Sequence, residues 1–326
     1  MKKTKKESSE LRFDIVSEDW IVIATGRAKR PESFQKERRK ENWEKGECPF
    51  CNLKSQLSPV YESQNITVIP NLYPAFSEES KLDEREVGPY KRMNGVGYHE
   101  VIITKDHKKQ MAEFSIKETR EVIDCYHKRY VDLMDKKFVS YISIFHNHGK
   151  EAGASISHPH SQLIAIPIID PDIKRSLKGS KRYWEKYGQC PHCTMMRWDI
   201  KDKQRIIFEN KDFVVLCPYA STIAFEMRIY PKKHEAYFER FEEEEKTNFA
   251  EALNIALKSL FKGLQDPSYN FFLHTAPCDG KDYSHYHWHF EILPKTDIPA
   301  GFELGTGIEI CTIEPERAAE HLRKFI

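Results

Sequence analysis

Two stretches of the chain place apolar residues three or four positions apart, which is the spacing of one face of a helix. The first runs over about Ile116–Lys137 and the second over about Glu242–Leu264. Such a stripe predicts an amphipathic helix packed against a core. The stripe residues are Val122, Tyr126, Tyr130 and Leu133 in the first helix, and Phe249, Leu253, Leu257 and Leu260 in the second.

Short apolar runs of strand length precede and follow each helix in the same order. This order favours an antiparallel sheet with a helix packed on it, which is an α+β unit. Because the order occurs twice, we predict two such halves, residues 1–175 and 176–326. The runs are Tyr98–Thr104 and Val139–Phe145 in the first half, and Ala224–Tyr230 and Tyr269–Leu273 in the second.

The sequence leaves open whether the two halves share one sheet or form two. The segment that joins them, Ile169–Lys186, contains Pro171, which we expect to interrupt regular structure. Charge rises through Lys178–Lys181, as in an exposed connection.

Composition narrows the class of protein. Hydrophobic residues make up 40% of the 326 positions and charged residues 31%, so each half can bury a core. A net charge of +1 argues against a general binder of nucleic acid. No apolar run approaches the ~20 residues of a membrane span, and no apolar segment follows the basic N-terminus as in a secretory signal. We expect a cytoplasmic protein that binds neither nucleic acid nor membrane.

Four of the eight cysteines form two Cys-x-x-Cys pairs, which we expect to be knuckle turns rather than helix starts. Without a secretion signal, such pairs indicate metal sites more often than disulfides. Histidines follow at equal spacing, with 51 positions from His107 to His158 and 51 from His234 to His285. Two thiolates with two imidazoles suit a structural, tetrahedral zinc site. The predicted ligands are Cys48, Cys51, His107 and one of His158 and His160 in the first half, and Cys190, Cys193, His234 and one of His285, His287 and His289 in the second.

The stretch Ser157–Gln162 places two imidazoles and an amide at alternate positions. On an extended strand, the side chains of His158, His160 and Gln162 share one face. If His158 holds a metal, His160 remains as a neutral imidazole that can attack phosphorus. Gln162 can donate its amide to a phosphoryl oxygen as charge develops there. His99 is expected to be an ordinary sheet histidine rather than a metal ligand.

The run Gly153–Gln162 resembles the active-site strand of the galactose-1-phosphate uridylyltransferases, a branch of the histidine-triad superfamily. The similarity extends over nearly the whole chain. The two-zinc pattern, with Ser161 before Gln162, looks closest to the subgroup that contains plant ADP-glucose phosphorylases. Further similar segments are Leu11–Asp14, Trp20–Val22, Arg27–Pro31, Asn71–Ala75 and Phe302–Gly307. The resemblance implies two histidine-triad-like halves.

The resemblance also implies a chemistry and roles for individual residues. His160 would attack the α-phosphorus of a nucleotide sugar and release a hexose 1-phosphate, and a second phosphate-bearing acceptor would then take the nucleotidyl group. Gln162 would bind the transferred phosphoryl group. The implied substrate-binding residues are Asn147 and Ser155 at the phosphate or ribose, and Arg27, Arg30 and Asn71 around the nucleotide. Family members are commonly dimers, so the resemblance implies a homodimer.

By the same resemblance, His158 is the fourth ligand of the first zinc site. Two registers compete for the second site. Equal spacing from His234 points to His285, whereas matching the two His-x-His strands points to His287. We choose His287, because loop lengths vary more readily than the pattern of a strand.

Three functions follow as hypotheses. The first is uridylyl transfer between UDP-glucose and galactose 1-phosphate. The second is an adenylyl version, in which ADP-glucose (an ADP-glucose phosphorylase) or a dinucleoside polyphosphate is cleaved with phosphate as acceptor, since the motif does not settle which base is bound. The third is a non-catalytic zinc-knuckle scaffold, whose nearest binding surface, Lys36–Lys45, has mixed charge and which gives His160 and Gln162 no role. The expected partners are therefore a nucleotide sugar and a sugar phosphate.

Overall fold

One ten-stranded antiparallel sheet forms the centre of the molecule. The structure is a computed structural model, and it describes residues 9–24, 34, 48–52, 58–79 and 81–326. The strands are β1 Glu10–Phe13, β2 Trp20–Ile23, β3 Tyr61–Glu62, β4 Ile66–Pro70, β5 Glu84–Val87, β6 Tyr90–Met93, β7 Tyr98–Thr104, β8 Tyr141–His148, β9 His160–Ile166, β10 Ile206–Glu209, β11 Phe213–Leu216, β12 Met227–Pro231, β13 Tyr269–His274, β14 His289–Pro294 and β15 Ile310–Cys311. The helices are α1 Pro49–Asn52, α2 Ile116–Met134, α3 Pro171–Tyr187, α4 Pro191–Asp202, α5 Lys246–Leu264, α6 Gly301–Thr306 and α7 Pro315–Arg323.

The strand order of the large sheet repeats from its two edges inward. From one edge the order is β3, β4, β7, β9 and β8, and from the other it is β10, β11, β12, β14 and β13. The halves meet where β8 pairs with β13 and Phe145 lies opposite Phe272. The two halves therefore share one continuous sheet. The predicted α+β class is confirmed, and the question that the sequence left open is answered.

The two predicted helices are α2 and α5, and both pack on one face of this sheet. Ser115 begins α2 with a capping box, in which its side chain accepts from the Glu118 N–H and the Glu118 carboxylate accepts from the Ser115 N–H. The apolar stripes of both helices are buried, as their periodicity predicted. The ring of Phe249 in α5 lies 4.9 Å from that of Phe290 in β14, so the helices form the core with the sheet.

Successive side chains of β9 point alternately to the core and to the opposite face of the sheet. Leu163 and Ala165 point to the helical layer and are buried. Ser161 points the same way, and its Oγ lies 2.5 Å from the hydroxyl of Tyr126 in α2. His160 and Gln162 therefore face the opposite side of the sheet.

Helix α3 corrects the expectation for the junction between the halves. Pro171 is the first residue of α3 and does not interrupt regular structure. The first helical position needs no N–H partner and suits the fixed φ of proline. The carboxylate of Asp170 caps the helix by accepting from the backbone N–H groups of Asp172 and Ile173. Residues 175 and 176 lie within this helix.

A smaller sheet of β1, β2 and β15 joins the two ends of the described chain. β15 runs parallel to β2. Arg12 of β1 lies 2.9 Å from a carboxylate oxygen of Glu316 in α7, and this ion pair fastens the first strand to the last helix. Among the helices of the described residues, none combines the length and apolar content that crossing a membrane requires.

Candidate active site and metal clusters

His160 is the first residue of β9, and a hydrogen bond fixes its ring. Nδ1 lies 2.8 Å from the carbonyl oxygen of His158. A carbonyl only accepts, so Nδ1 carries the proton and Nε2 keeps its lone pair. The residue is 8% exposed, and the ring of Phe50 lies 4.9 Å from its ring, edge to face. Burial lowers the pKa of His160, so the imidazole is neutral near pH 7.

Gln162 lies half-buried on the same face, in contact with a residue that sequence reasoning left out of the site. Its Oε1 is 2.8 Å from Nε2 of His99 on β7. Val101 pairs directly with Gln162, so His99 is its diagonal neighbour. His99 is a sheet histidine, as expected, but it also belongs to the candidate site. Spacing along the chain could not show this, because the contact depends on the register of β7 against β9.

The other predicted substrate-binding residues are placed unequally. Asn147 lies at the end of β8 on the His160 side of the sheet, and its Oδ1 accepts a hydrogen bond of 2.8 Å from Asn270. Asn71 is half-buried, with its Nδ2 3.1 Å from Nε2 of His99. Ser155 is exposed in the turn that leads into β9. The remaining two predicted residues, Arg27 and Arg30, lie outside the described residues.

The first metal cluster joins the Cys-x-x-Cys turn to the residues just before β9. Its members are Cys48, Cys51, His107 and His158, whose ligand atoms all lie within 4.8 Å of one another. The Nδ1 atoms of His107 and His158 are 3.1 Å apart, and Cys51 Sγ is 3.3 Å from Nδ1 of His107. Nε2 of His158 donates to the carbonyl of Thr104 at 2.6 Å. The lone pair on Nδ1 of His158 therefore faces the cluster.

The second cluster occupies the corresponding place before β14. Its members are Cys190, Cys193, His234 and His287. Cys193 Sγ lies 3.3 Å from Nδ1 of both histidines. Nε2 of His287 donates to the carbonyl of Pro231 at 2.9 Å, which again turns Nδ1 inward. The structure thus places His287 in the cluster, and His285 is not one of its four members.

Both clusters fit a tetrahedral metal ion. Zinc bonds to sulfur and nitrogen place neighbouring ligand atoms about 3.5 Å apart. The short ligand-to-ligand distances here are 3.1–3.6 Å. A hydrogen bond with Cys190, together with His234 and His287, lowers the pKa of Cys193 and favours the thiolate that a metal binds. Four protein donors fill each shell, which suits a structural role, whereas a catalytic metal keeps one position open.

Both Cys-x-x-Cys pairs begin helices, so the expected knuckle turns are wrong. Pro49–Asn52 forms one helical turn, and Cys190 is the N-cap of α4. Pro49 and Pro191 each take the first helical position, which proline favours. A thioredoxin-like setting needs a preceding strand, and α4 instead follows α3.

Strand β14 repeats the geometry of β9. Nδ1 of His289 donates to the carbonyl of His287 at 3.1 Å, just as His160 donates to His158. Glu291 takes the position of Gln162, opposite Arg228 of β12. The guanidinium of Arg228 lies 3.4 Å from the Glu291 carboxylate. The second half therefore has the backbone of the site but a charged pair in place of the amide.

The surroundings of His289 also differ from those of His160. His289 is 2% exposed, and its ring lies 5.1 Å from the rings of both His192 and His274. His274, His289 and Glu291 bring three donor atoms within 4.8 Å beside a pocket of about 220 Å³. The cation of Arg228 also lines this pocket and opposes a metal ion there. Burial lowers the pKa of His274 to about 4.

Comparison with known proteins agrees with this geometry. The family described as Galactose-1-phosphate uridyl transferase, N-terminal domain, matches residues 1–169. The chain is 33% identical to an ADP-glucose phosphorylase of Arabidopsis thaliana, over 98% of the chain and 93% of that protein. It is 30% identical to a galactose-1-phosphate uridylyltransferase of Thermotoga maritima, over 97% and 98%. The solved structure of the Arabidopsis thaliana ADP-glucose phosphorylase with bound ADP-glucose has a TM-score of 0.82 at 30% identity, covering 97% of this chain and 99% of that one.

The chain belongs to the galactose-1-phosphate uridylyltransferase family, as its motifs predicted. It is therefore a nucleotidyltransferase, and the hypothesis of a non-catalytic scaffold is set aside. The match covers both halves, so the family relationship includes β14 as well as the strand with His160.

Proposed function

We propose that the protein transfers a nucleotidyl group from a nucleoside diphosphate hexose to a phosphate-bearing acceptor through His160. One observation carries the proposal: the proton on Nδ1 is held by the His158 carbonyl, and Nε2 belongs to neither Cys/His cluster. The leading substrates are UDP-glucose and galactose 1-phosphate. The family name and the relative from Thermotoga maritima support that pair.

The reaction has two displacements at phosphorus. Nε2 of His160 attacks the α-phosphorus, the bond to the bridging oxygen breaks, and hexose 1-phosphate leaves with the electron pair. The ring then carries positive charge, which the hydrogen bond of 2.8 Å to the His158 carbonyl stabilises. A phosphate oxygen of the acceptor next displaces the histidine, and the lone pair returns to Nε2.

Gln162 is assigned to the transferred phosphoryl group. Its amide can donate to a non-bridging oxygen as negative charge grows there. An amide cannot protonate a leaving group, so the leaving group has to be a good one, such as a sugar phosphate. The proposed substrate-binding residues remain Arg27, Arg30, Asn71, Asn147 and Ser155.

We assign zinc to both clusters, on the basis of their two thiolates and two imidazoles. Zinc held by these residues would tie each Cys-x-x-Cys pair to its two histidines, and the four protein donors would leave no coordination position for substrate. The residues of the first cluster hold His158 against the turn that carries Phe50, and Phe50 packs on the ring of His160. The cluster would therefore orient the nucleophile through His158 and Phe50.

ADP-glucose phosphorylase activity is the second candidate. The relative from Arabidopsis thaliana at 33% identity, and the TM-score of 0.82 to its structure with bound ADP-glucose, support it. The step at His160 is the same. The two candidates differ in the base that is bound and in whether phosphate replaces the sugar phosphate as acceptor.

A substrate matrix tests the proposal. The purified protein is incubated with UDP-glucose or ADP-glucose, each with galactose 1-phosphate or inorganic phosphate, and products are measured by chromatography. The leading proposal predicts UDP-galactose from the first pair, and the second candidate predicts ADP from ADP-glucose and phosphate. Absence of nucleotidyl transfer in all four mixtures would refute both.

Three further expectations stay predictions. They are the division of the chain at residues 175 and 176, a homodimer, and a cytoplasmic location. Light scattering on the purified protein measures the mass of the assembly and tests the dimer directly.

A further inference from the structure

The side chain of His99 contacts Gln162 through Nε2, and a backbone N–H group at Nδ1 decides which ring nitrogen carries the proton. His99 stands on β7, next to β9, and its Nε2 lies 2.8 Å from Oε1 of Gln162. On the other side of the ring, the backbone N–H of Ala75 donates to Nδ1 at 3.2 Å. A backbone N–H can only donate, so Nδ1 has the lone pair and the proton is on Nε2.

This proton fixes the orientation of the Gln162 amide. An N–H at Nε2 of His99 requires an acceptor, and the Gln162 oxygen fills that place. The NH₂ group of Gln162 is consequently turned away from His99. A flipped amide would bring its N–H₂ group against the His99 N–H and lose the hydrogen bond.

The strand that carries His99 is itself anchored before any substrate arrives. The Asn71 backbone N–H donates to the His99 carbonyl at 2.8 Å. Nδ2 of the Asn71 side chain lies 3.1 Å from Nε2 of His99, but with the proton on Nε2 this contact joins two donors and adds no hydrogen bond. On the opposite face of β7, the carboxylate of Glu100 forms a buried two-point ion pair with Arg129, at 2.6 and 2.8 Å. These contacts anchor β7 to α2 and direct the His99 ring to the site.

The second half lacks this arrangement. In the matching register, Glu226 of the segment before β12 takes the place of His99, and Glu291 takes that of Gln162. Arg228 lies 2.9 Å from Glu226 and 3.4 Å from Glu291. A guanidinium between two carboxylates leaves no amide donor on this strand.

We propose that His99 is a positioning residue for nucleotidyl transfer: its Nε2–H fixes the Gln162 amide with the NH₂ group toward the phosphoryl group on His160. This inference rests on the proposed function. The NH₂ group of Gln162 is thus oriented before the reaction, so the amide need not rotate as charge develops on the phosphoryl oxygens. His99 touches no reacting atom, and its hydrogen bond to Gln162 is its link to the reaction.

A double-mutant cycle tests this dependence. The variants are His99→Phe, which keeps a ring but removes the donor, Gln162→Ala, and the two combined. We expect His99→Phe to lower kcat about 10- to 100-fold, with KM for the nucleotide sugar changed by less than about threefold. In the Gln162→Ala background the same change should lower kcat by less than about twofold. Losses that multiply in the double variant would overturn the proposal.

Two control variants separate positioning from general damage. His99→Gln supplies an amide donor near the same place and should recover part of kcat. His321→Phe changes a buried histidine of α7 whose Nε2 donates to the Gly263 carbonyl. This residue contacts neither His99 nor Gln162, so kcat should stay unchanged. No recovery with His99→Gln, or an equal loss with His321→Phe, would contradict a specific role for His99.

A measurement without substrate keeps this test independent of the proposed function. Nitrogen NMR of the His99 imidazole reports which ring nitrogen carries the proton. We expect the Nε2–H form at neutral pH, and a changed side-chain amide signal of Gln162 in His99→Phe. An Nδ1–H or doubly protonated ring, or an unmoved Gln162 signal, would refute the proposal even if no nucleotide sugar were turned over.

Discussion

Strands β9 and β14 hold their histidines in the same way but surround them differently. In both, the first histidine turns Nδ1 to a Cys/His cluster, and the second donates Nδ1 to the carbonyl two residues earlier. The third position is an amide in Gln162 and a carboxylate in Glu291. The fold therefore orients a histidine in the same way on both strands. The residues around each histidine determine whether a phosphorylated substrate can bind there.

The charge around the two histidines explains why the first copy suits a phosphorylated substrate. Gln162 is neutral and presents an amide, whereas Glu291 and Glu226 place two carboxylates around the guanidinium of Arg228. Carboxylates repel phosphate oxygens, so the surroundings of His289 disfavour a phosphorylated substrate.

The largest expected effect comes from removing each second histidine in turn. His160→Asn should lower nucleotidyl transfer at least about 10⁴-fold, because the nucleophile is lost. His289→Asn is the matched control, and its turnover should stay within about threefold of wild type. Steady-state rates with circular dichroism check both. If both variants were folded and lost a similar share of turnover, the proposed functional difference between β9 and β14 would be contradicted.

Cysteine variants test whether the two Cys/His clusters contribute equally to stability. Cys48→Ser and Cys190→Ser should each release one metal ion and lower the free energy of unfolding by about 4 kcal/mol, part of what zinc contributes to small zinc-dependent domains. Elemental analysis and urea titration measure the two effects. Unchanged metal content in either variant would remove that cysteine from the ligand set.

Exchanging the third residues of the two strands sharpens the comparison further. Gln162→Glu should lower kcat about 100-fold, because a carboxylate repels the phosphoryl group and offers no donor. Glu291→Gln should leave kcat near wild type. Rates with saturating nucleotide sugar decide this point. If the Gln162 variant kept full activity, the amide would have no role in the reaction.

The smallest expected effect concerns the pH dependence of stability in the second half. Burial, with Glu291 close by, raises the pKa of Glu226 to about 7. An unfolded glutamic acid has a pKa of about 4.3, so between these values the folded state holds a proton that the unfolded state lacks. The free energy of unfolding should therefore fall as pH rises through this window.

Glu226→Gln keeps a neutral side chain and removes that titration. Between pH 5 and pH 8, wild type should lose about 2 kcal/mol more unfolding free energy than the variant. Urea unfolding at the two pH values gives the comparison. Parallel changes in the two proteins would show that Glu226 is already ionised when folded.

Much of this arrangement could be predicted from local pattern. The stripes of α2 and α5, the doubled order of elements, and the gathering of Cys48, Cys51 and His107 all follow from spacing along the chain. The choice of His287 over His285 followed from the two-residue repeat of a strand. These features depend on residues close in sequence or on a repeated spacing.

What could not be predicted depends on long-range registration. The contact between His99 and Gln162 requires the register of β7 against β9, and the single sheet requires β8 to pair with β13. Two errors were local instead. Pro171 was expected to interrupt regular structure and the Cys-x-x-Cys pairs to form knuckle turns, although proline at the first helical position is favourable.

The most direct test of the central claim is the location of the covalent intermediate. The protein is incubated with a nucleotide sugar and no acceptor, digested at neutral pH, and its peptides are weighed. We predict one nucleoside monophosphate on the peptide that contains His160 and none on the peptide that contains His289. An adduct on His289, or turnover without any adduct on His160, would contradict the account.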